Sequence, residues 1–433
     1  MHANLSFEQA PPISVPYRFF LTAPWFGAAA GLLLLWSGEE AMASRWTPAS
    51  LALTHLLAAG FMLQAMLGAL LQFVPVAAGG NVWRPSRLAA FVHPLLVLAL
   101  LLLVAGFLAG GEFLYRAAGG CFLAAIGGYV LVVGVALLRA PAKGGTILAL
   151  RLAMAGLAVT ATLGTVLAEG LSGDHGWPLL QWVDVHAAWG LAGWALLLLA
   201  GVSYYVVPMF QLTPAYPPRF ALGLPGAMLV LLLLWSWQLD GTTPGWIGLV
   251  WFAGLLLAAS YAAMTLRLQN RRRRKLADAT FWFFRGGMLS LLVLAASAVV
   301  LALVPSLGQH PRAPVWLGVL ALVGVFVSVI NGMLYKIAPF MNWLHMQRLG
   351  GLAVMPPPMR DMVPERATRA QLLFHFAALG LLLLAVVWPP ASRPAGLVFA
   401  LSCGGLAWNL IGALRVYRDF RDRIPAAAAG RAP

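Results

Sequence analysis

The sequence predicts an all-α, polytopic membrane protein whose twelve transmembrane helices form three pseudo-repeated sets of four. Three observations lead to this fold class. The chain is 61% hydrophobic and only 9% charged, which is far from the composition of a soluble domain. Apolar runs of roughly 20 residues, the length that crosses a bilayer core, recur along almost the whole chain. Three of these runs, four runs apart each time, end in the same pattern of glycine and proline.

The apolar runs follow one another from Tyr17 to Tyr417 and are separated by short polar or Pro/Gly-rich turns. Spans are predicted over residues 17–37, 51–75, 88–110, 113–138, 146–168, 181–210, 220–239, 245–266, 280–304, 314–340, 370–389 and 395–417. Residues 1–433 are therefore expected to form a single integral membrane domain with short tails, 1–16 and 418–433. The first run is full length and lacks a small-residue cleavage site, so a cleavable signal peptide is not expected.

The basic residues are distributed unevenly between the two sides of the predicted membrane. With the N-terminus inside, the even-numbered loops and both tails carry 24 of the 28 Lys and Arg, including the block Arg271–Lys275. The opposite loops carry the remaining four, Arg45, Arg116, Arg312 and Arg393. This positive-inside pattern predicts a bacterial-type inner membrane protein with both termini in the cytoplasm. The basic block is then an anchor to lipid headgroups or a topology signal, with the bilayer and not nucleic acid as its partner.

Spans 2, 6 and 10 close with similar segments, "LGALLQFVPV", "LAGVSYYVVPMF" and "VINGMLYKIAPF". Each segment has a glycine, then aromatic or long apolar residues, and then Pro75, Pro208 or Pro339. Proline commonly terminates a helix, but three matches at a four-span interval favour an internal repeat, as in many transporters and channels. Spans 2, 6 and 10 are predicted to line the interior of the bundle.

Four histidines lie at matched depths inside the predicted spans. His55 precedes Pro75 by 20 residues and His186 precedes Pro208 by 22, roughly 30 Å at 1.5 Å per residue, which places both near the extracytoplasmic side. His93 and His375 lie near the cytoplasmic starts of spans 3 and 11. An unpaired ring nitrogen in hydrocarbon is costly, so each ring needs another helix, a metal or a haem as its partner.

Two interpretations of these histidines are open. Each ring could hydrogen-bond across a helix interface, or the pairs could deliver imidazoles from different helices to a haem or a metal. Gly190 and Gly193 share a face with His186, which either leaves room for a flat ring there or lets another helix pack closely; a shared haem or metal site predicts the open face. The cofactor-binding candidates are His55, His186, His93 and His375, and the first two are also the metal-ligand candidates. No catalytic residue is predicted.

Other polar residues in the spans have structural explanations. Asp184 lies two residues before His186 and is expected to point to a different face. Lys336 is expected to snorkel to the interface. Gln64 and Asn331 are expected to hydrogen-bond between helices, with haem substituents as the alternative partners, and His345 is placed in a loop. Met residues beside His55 would suit Cu(I), although methionine is also an ordinary core residue.

The chain resembles subunit I of the haem–copper oxidase superfamily, in which twelve spans form three sets of four. The histidine of span 2, with the run that follows it, carries the resemblance ("HLLAAGFMLQAMLGALLQFVPVAAGGNVWRP"). The opening segment "VPYRFFLTAP" is similar to that of a divergent branch, the NnrS family of haem- and copper-containing membrane proteins linked to nitric oxide metabolism. The resemblance implies that His55 is an axial ligand of a b-type haem and that His186 is a copper ligand. It also implies a respiratory electron donor or other membrane subunits as partners.

The chain departs from the oxidase pattern in two spans. Span 7, "FALGLPGAMLVLLLLWSWQL", has no histidine, and predicted span 10 has none either, whereas the oxygen- and nitric-oxide-reducing enzymes take copper and haem ligands from both. We therefore expect a haem- or copper-binding protein of redox stress or respiratory metabolism, and not a terminal oxygen reductase or nitric oxide reductase. The alternatives are a permease for haem, copper or a small solute, and a structural or assembly subunit.

Overall fold

The computed structural model describes residues 10–173, 176–273, 276–350 and 355–429. Every regular element in those ranges is a helix. Twelve helices of the described chain are long and apolar enough to cross a membrane, which confirms the prediction of an all-α, multi-pass membrane protein. Arg274 and Lys275 of the basic block, and the outermost parts of both tails (1–9 and 430–433), lie outside the described residues.

The twelve spans are numbered in chain order. They are Ser14–Ser37, Pro48–Ala78, Pro85–Ala109, Glu112–Arg139, Gly145–Ser172, Leu179–Gln211, Pro218–Asp240, Ile247–Asn270, Ala279–Leu303, Ala313–Leu349, Glu365–Val387 and Pro389–Arg423. Each contains the core of a predicted span. Span 10 continues well past its predicted end, so His345, which was predicted in a loop, lies on a helix instead.

The span ends follow from local sequence. Pro48, Pro85 and Pro218 lie in the first turn of spans 2, 3 and 7, where the missing N–H has no helical partner to lose and the fixed φ suits a helix. Gly38 ends span 1 and Gly110 ends span 3 with positive φ values of 60° and 76°, a conformation that glycine adopts without steric cost.

Spans 2, 6 and 10 lie at the centre of the bundle. In the most apolar stretch of span 2, 78% of the residues are buried, and in spans 6 and 10 the share is 67%, while no other described span exceeds 50%. The outer spans instead expose large apolar side chains such as Leu131 and Leu249, as expected of helices that face lipid. The arrangement supports the prediction that spans 2, 6 and 10 line the interior.

Contacts between spans recur at an interval of four. Span 1 packs against span 12, span 4 against span 5, and span 8 against span 9. The central spans follow the same rule, since span 2 packs against span 1, span 6 against span 5, and span 10 against span 9.

One glycine in each central span sets its distance from the preceding span. Gly68, Gly201 and Gly332 each lie seven residues before the proline of their span. A Cβ atom built on any of the three would lie 2.8 Å from the Cβ atom of a residue on the preceding span, namely Phe19, Ala149 or Phe283. Small residues allow this close approach of two helices in a membrane.

Each central span is also interrupted by a π-helix of the same length. The segments are Leu56–Leu63, Trp189–Leu196 and Leu320–Val327. A π-helix leaves the regular i to i−4 hydrogen-bond ladder and is often found at functional sites. The π-helix of span 2 begins immediately after His55, and the π-helix of span 6 begins three residues after His186.

Candidate functional site

The two ends of the central spans differ in chemistry. We call the end of spans 2 and 6 that carries His55 and His186 the histidine end, and the opposite end of spans 2, 6 and 10, which carries the three prolines, the proline end. The histidine end holds the candidate metal ligands. The proline end holds a partly open cavity between the three spans.

His55 is the last residue before the π-helix of span 2. Its Nδ1 atom is 2.8 Å from the carbonyl oxygen of Leu51, one turn earlier on the same helix. The ring packs against Phe107 of span 3 with 5.1 Å between the ring centroids. The side chain is only partly buried, so the ring is held by its own helix and by one neighbour.

His186 lies three residues before the π-helix of span 6. Its Nδ1 atom is 3.1 Å from the carbonyl oxygen of Thr160 on span 5. Span 5 accommodates the ring with a glycine, because a Cβ atom at Gly164 would lie 3.0 Å from the Cε1 atom of His186. The neighbouring span thus fixes both the position and the orientation of this imidazole.

Both rings have the protonation pattern of a metal ligand. A carbonyl oxygen only accepts hydrogen bonds, so the Nδ1 atoms of His55 and His186 carry the proton and donate. Each Nε2 atom then has a free lone pair, and within the described part of the chain no hydrogen bond reaches it. An Nδ1–H bonded to a backbone carbonyl is a common way to orient a histidine whose Nε2 binds a metal.

The two imidazoles also lie at the same end of the bundle, on spans 2 and 6. Their registers differ slightly. His55 lies 13 residues before Gly68, the glycine of the close helix contact in span 2. His186 lies 15 residues before Gly201, the corresponding glycine of span 6. They therefore lie at the same end of the bundle without occupying identical repeat positions.

The predicted open face beside His186 is wrong. A Cβ atom at Gly190 would meet Thr160 of span 5 at 3.3 Å, and one at Gly193 would meet Leu232 of span 7 at 3.1 Å. The carbonyl oxygen of Gly193 approaches Gly156 of span 5 as well. These glycines allow helices to pack closely, so any ligand of His186 would lie on the other side of its ring.

Asp184 has its own partner beside this site. Its Oδ1 atom accepts a hydrogen bond of 2.6 Å from Nη1 of Arg45, in the connection between spans 1 and 2. As predicted, the carboxylate does not orient His186. The ion pair ties the start of span 6 to the segment that leads into His55.

The second predicted pair, His93 and His375, has a different environment. The Nε2 atom of His93 is 2.8 Å from the hydroxyl of Thr22 on span 1. That hydroxyl donates its own proton to the carbonyl oxygen of Arg18, so it accepts from the histidine. The Nε2 atom of His93 therefore carries the proton and has no free lone pair.

His375 is completely buried and bonded through both ring nitrogens to span 10. Its Nε2 atom is 2.7 Å from the hydroxyl of Ser328, and its Nδ1 atom is 3.4 Å from the side-chain nitrogen of Asn331. The serine hydroxyl donates onward to the carbonyl oxygen of Val323. The predicted role of Asn331 as a hydrogen-bonding residue between helices is confirmed.

The structure does not bring His93 and His375 together. His93 packs edge-on against Phe19 of span 1 with 5.2 Å between centroids, whereas His375 packs against Phe283 of span 9 at 5.5 Å. The two rings share no neighbour in the described contacts. Each has the interhelical role that was the alternative interpretation of an intramembrane histidine.

His345, at the far end of span 10, provides a useful contrast to His55. Its Nδ1 atom lies 2.9 Å from the carbonyl oxygen of Met341, one turn earlier, but its Nε2 atom lies 3.1 Å from the carbonyl oxygen of Pro11. Both ring nitrogens of His345 therefore face protein acceptors. The local helical bond is the same as that of His55, and only the free Nε2 atom differs.

Two imidazoles are the nitrogen donors that the described residues bring to the histidine end. In the described chain, no group of three or more His, Cys, Asp or Glu side chains could hold a metal ion. A haem iron needs only axial ligands from the protein, because the porphyrin supplies the other four, and a soft Cu(I) ion also accepts imidazole. The residues present fit a centre that takes one nitrogen from each of two helices.

The proline end holds a cavity of about 120 Å³. All of its lining residues belong to spans 2, 6 and 10, and they run from Ala65 to Ala77, from Leu198 to Phe210 and from Val329 to Phe340. Nothing in the composition or spacing of the spans predicts this cavity directly. The signal was present in the three similar closing segments, which were interpreted as a mark of repetition only.

Two further polar residues of the central spans have environments that the sequence did not specify. Lys336, predicted to snorkel, donates a 2.8 Å hydrogen bond to Oδ2 of Asp278, which is the N-cap residue of span 9. Gln64 is completely buried, and neither polar atom of its side chain has a hydrogen-bond partner. The expected bond from Gln64 to another helix is therefore missing.

No protein-family model matches the chain, and no curated protein matches it. The function proposed below is accordingly based on the geometry of the side chains and on the predicted resemblance.

Proposed function

We propose that this protein is a membrane haem protein in which His55 and His186 are the protein ligands of one metal centre, with a b-type haem as the group bound. One observation carries the proposal. Both rings donate through Nδ1 to a backbone carbonyl oxygen and leave the Nε2 lone pair free at the same end of the bundle. A bound haem would supply one-electron redox chemistry, and the chain's own residues would supply the ligands and their orientation.

The resemblance to subunit I of the haem–copper oxidase superfamily, and to the NnrS family, is part of this proposal. It is supported by the contacts that recur every four spans and by the glycines that set the approach of each central span. It is also supported by a π-helix of equal length in spans 2, 6 and 10. We accordingly propose three pseudo-repeated sets of four helices.

The proposed redox role is in nitric oxide or oxidative stress, or in respiration, and electrons would come from a respiratory donor or another membrane subunit. Oxygen or nitric oxide reduction by this chain alone is not proposed, because span 7 offers no imidazole. The charge pattern supports a cytoplasmic location of both termini in a bacterial-type inner membrane. The histidine end would then face away from the cytoplasm.

The test measures bound haem and copper in the purified protein and in single variants. We expect a haem spectrum in the difference between the reduced and oxidised protein, and a haem content at least about tenfold lower in His55→Ala and His186→Ala, because each loses a direct ligand. The matched control is His345→Ala, which removes a ring with the same local Nδ1 bond and no free Nε2 atom. It should retain the wild-type haem content.

Three results would overturn the proposal. The first is a wild-type protein, produced with haem supplied and then reconstituted, that binds neither haem nor copper. The second is haem content that remains at the wild-type level in both His55→Ala and His186→Ala. The third is an equal loss of haem from correctly folded His345→Ala, because the losses in His55→Ala and His186→Ala would then not be specific to the proposed ligands. A protein that binds copper and no haem would support His55 and His186 as ligands, and copper would then replace haem as the bound group.

A permease is the second candidate function, and one observation favours it. Spans 2, 6 and 10 are interrupted by π-helices and prolines and line a partly open cavity, as discontinuous helices do at the sites of many transporters. Uptake of radioactive copper or labelled haem into proteoliposomes tests this function. Uptake that exceeds that of empty liposomes and saturates with concentration would support it, while equal uptake would exclude it for these two solutes.

A further inference from the structure

A groove runs along the outside of the bundle between spans 9 and 11. Its volume is about 640 Å³. Span 9 lines the groove from Trp282 to Val293, span 11 lines it from Leu372 to Leu383, and Leu320 of span 10 completes the wall. Trp282 and Leu373, on the two sides of the groove, are exposed, so the groove is open toward the lipid that surrounds the bundle.

Arg285 is the charged residue that the described chain brings to this groove. A charge on a membrane-spanning helix is costly unless it is paired, and such a residue usually marks the site of its partner. The guanidinium of Arg285 donates one hydrogen bond, of 2.9 Å from Nη1 to Oδ1 of Asn270, and forms no ion pair with a described residue. Arginine has five N–H donors, so four N–H groups are available to a ligand.

A second arginine, at the corresponding place beside span 6, has protein partners instead. Arg151 and Arg285 each lie two residues after the residue that meets the glycine of the next central span. Arg151 donates three hydrogen bonds of 3.0–3.2 Å, two to the carbonyl oxygen of Leu137 and one to that of Leu138, at the end of span 4. Arg285 receives only the side chain of Asn270 from the end of span 8. The bundle therefore satisfies the first arginine and leaves the second with donors for another molecule.

The guanidinium of Arg285 lies toward one end of the groove. Side chains of a helix lean toward its N-terminus, and Arg285 accordingly reaches Asn270, the last residue of span 8. Its Cζ atom lies 5.9 Å from the centroid of the Phe281 ring, and the Cζ atom of Arg272 lies 3.9 Å from the same centroid. Two positive charges therefore lie close together where spans 8 and 9 reach the level of the lipid headgroups.

The length of the groove matches one leaflet of a bilayer. Trp282 and Val293 are 11 residues apart, or roughly 16 Å along a helix. The hydrocarbon core of a bilayer is about 30 Å thick, so each leaflet contributes about 15 Å. An acyl chain in the groove would therefore reach the depth that it has in the bilayer. A phosphate at the charged end would accept hydrogen bonds from the available N–H groups of Arg285, a pairing that suits the planar guanidinium.

We propose that the groove between spans 9 and 11 binds one anionic phospholipid, with its phosphate on Arg285 and an acyl chain along Leu289 and Phe376. The apolar wall accepts any acyl chain, while the two guanidinium groups favour a headgroup with net negative charge over a zwitterionic one. Neither His55 nor His186 lines the groove. The inference is therefore separate from the proposed metal centre and does not depend on it.

The test is native mass spectrometry of the full chain in detergent, titrated with palmitoyl-oleoyl phosphatidylglycerol or with phosphatidylcholine that has the same acyl chains. We expect the wild-type protein to bind the first molecule of phosphatidylglycerol at least about fivefold more tightly than phosphatidylcholine, the effect of one basic residue at a membrane surface. Arg285→Gln should lower the affinity for phosphatidylglycerol by at least about fivefold and narrow the preference, because it removes the charge and keeps a polar side chain.

Two variants complete the design. Arg151→Gln is the matched control, since it removes the same charge at the corresponding place, where the protein itself satisfies the arginine; it should retain the wild-type affinity for phosphatidylglycerol. Ala377→Trp fills the groove from an exposed position of span 11 and should weaken the binding of both lipids by at least about fivefold. Circular dichroism and the elution volume from gel filtration show whether each variant is folded.

Specific outcomes would overturn the proposal. Equal affinity of the wild-type protein for the two lipids would show that the groove does not select a negative charge. Unchanged binding of phosphatidylglycerol in Arg285→Gln, or in folded Ala377→Trp, would show that the lipid binds elsewhere. An equal loss in folded Arg151→Gln would show that only the total charge matters. A dimer that Ala377→Trp abolishes would assign the groove to a second copy of this chain.

Discussion

The two pairs of histidines differ in what holds their ring nitrogens. His55 and His186 donate from Nδ1 to backbone carbonyl oxygens and keep Nε2 free, whereas His93 and His375 place Nε2 against a hydroxyl group of another span. All four are intramembrane histidines in spans of similar composition. The hydrogen-bond partner of each ring, and not its depth, therefore separates a candidate ligand from a structural residue.

This difference predicts opposite consequences of removing each ring. A histidine with both nitrogens bonded inside the bundle contributes to stability, and its loss leaves unsatisfied groups. A histidine with a free Nε2 atom contributes little until something binds it. The comparison can be tested by measuring the free energy of unfolding and the bound haem of the same variants.

The largest loss of stability is expected for His375→Ala. The ring is completely buried and bonded to Ser328 and Asn331 of span 10, so its removal creates a cavity and leaves the nitrogen of Asn331 unpaired. We expect the free energy of unfolding in detergent to fall by about 2–4 kcal/mol. Haem per folded chain should be unchanged. Loss of haem from correctly folded His375→Ala would show that the second pair also has a ligand role.

The next effect is expected at the glycine of span 6 that determines the distance of His186 from span 5. In Gly201→Ala the new Cβ atom would lie 2.8 Å from the Cβ atom of Ala149, so the two helices must separate. We expect a destabilisation of about 1–3 kcal/mol. Gly127→Ala is the matched control, because nothing lies within 4 Å of a Cβ atom there; it should be neutral or stabilising by up to about 1 kcal/mol. Equal effects of the two variants would contradict the close contact.

A smaller effect is expected at the ion pair between Asp278 and Lys336, near the start of the span that carries Phe283. Burial alone would raise the pKa of Asp278, but the Lys336 ammonium and the hydrogen bonds to the carboxylate outweigh burial and lower it below the ordinary 3.8. The carboxylate therefore stabilises the fold above that pH, and its contribution is lost as the pH falls through the lower folded-state value.

Asp278→Asn isolates the charge, since asparagine is also a good N-cap residue. We expect it to cost about 1 kcal/mol at pH 7 and to match the wild-type protein more closely as the pH falls from 5 to 3. The measurement is the free energy of unfolding across that range. A constant difference between the two proteins at all pH values would show that the charge of Asp278 does not matter. Bound haem should not respond, because this pair lies at the proline end.

Much of the fold was accessible from the sequence because membrane spans are determined by local composition. The twelve apolar runs and the shared closing segments of spans 2, 6 and 10 correspond closely to the helices and to their central position. The glycine seven residues before each proline was visible in the same segments. Its role in helix contact is visible only in the structure, because the contacting residue, Phe19, Ala149 or Phe283, belongs to the preceding span.

The candidate site was less accessible because ring orientation depends on residues distant in sequence. The carbonyl oxygen that orients His186 belongs to Thr160 of span 5, and the group that pairs with Lys336 is 58 residues away. The glycine face of span 6 was misinterpreted for a related reason. Small residues can leave a face open or let another helix approach, and sequence alone does not distinguish the two.

The smallest change in stability is expected for His55→Ala in the metal-free protein. The ring bonds only to the carbonyl oxygen of Leu51 on its own helix, is partly exposed, and packs against one aromatic ring, that of Phe107. Alanine also favours a helix more than histidine does, so the free energy of unfolding should change by less than about 1 kcal/mol. If the proposed function holds, the same substitution should nevertheless remove the haem, because it deletes one of the two proposed ligands. Measured on one preparation with and without reconstituted haem, a stabilisation by haem that is present in the wild-type protein and absent in His55→Ala would tie the free Nε2 atom to binding. A loss of several kcal/mol from the metal-free variant would instead place His55 with His375, among the histidines that hold the helices together.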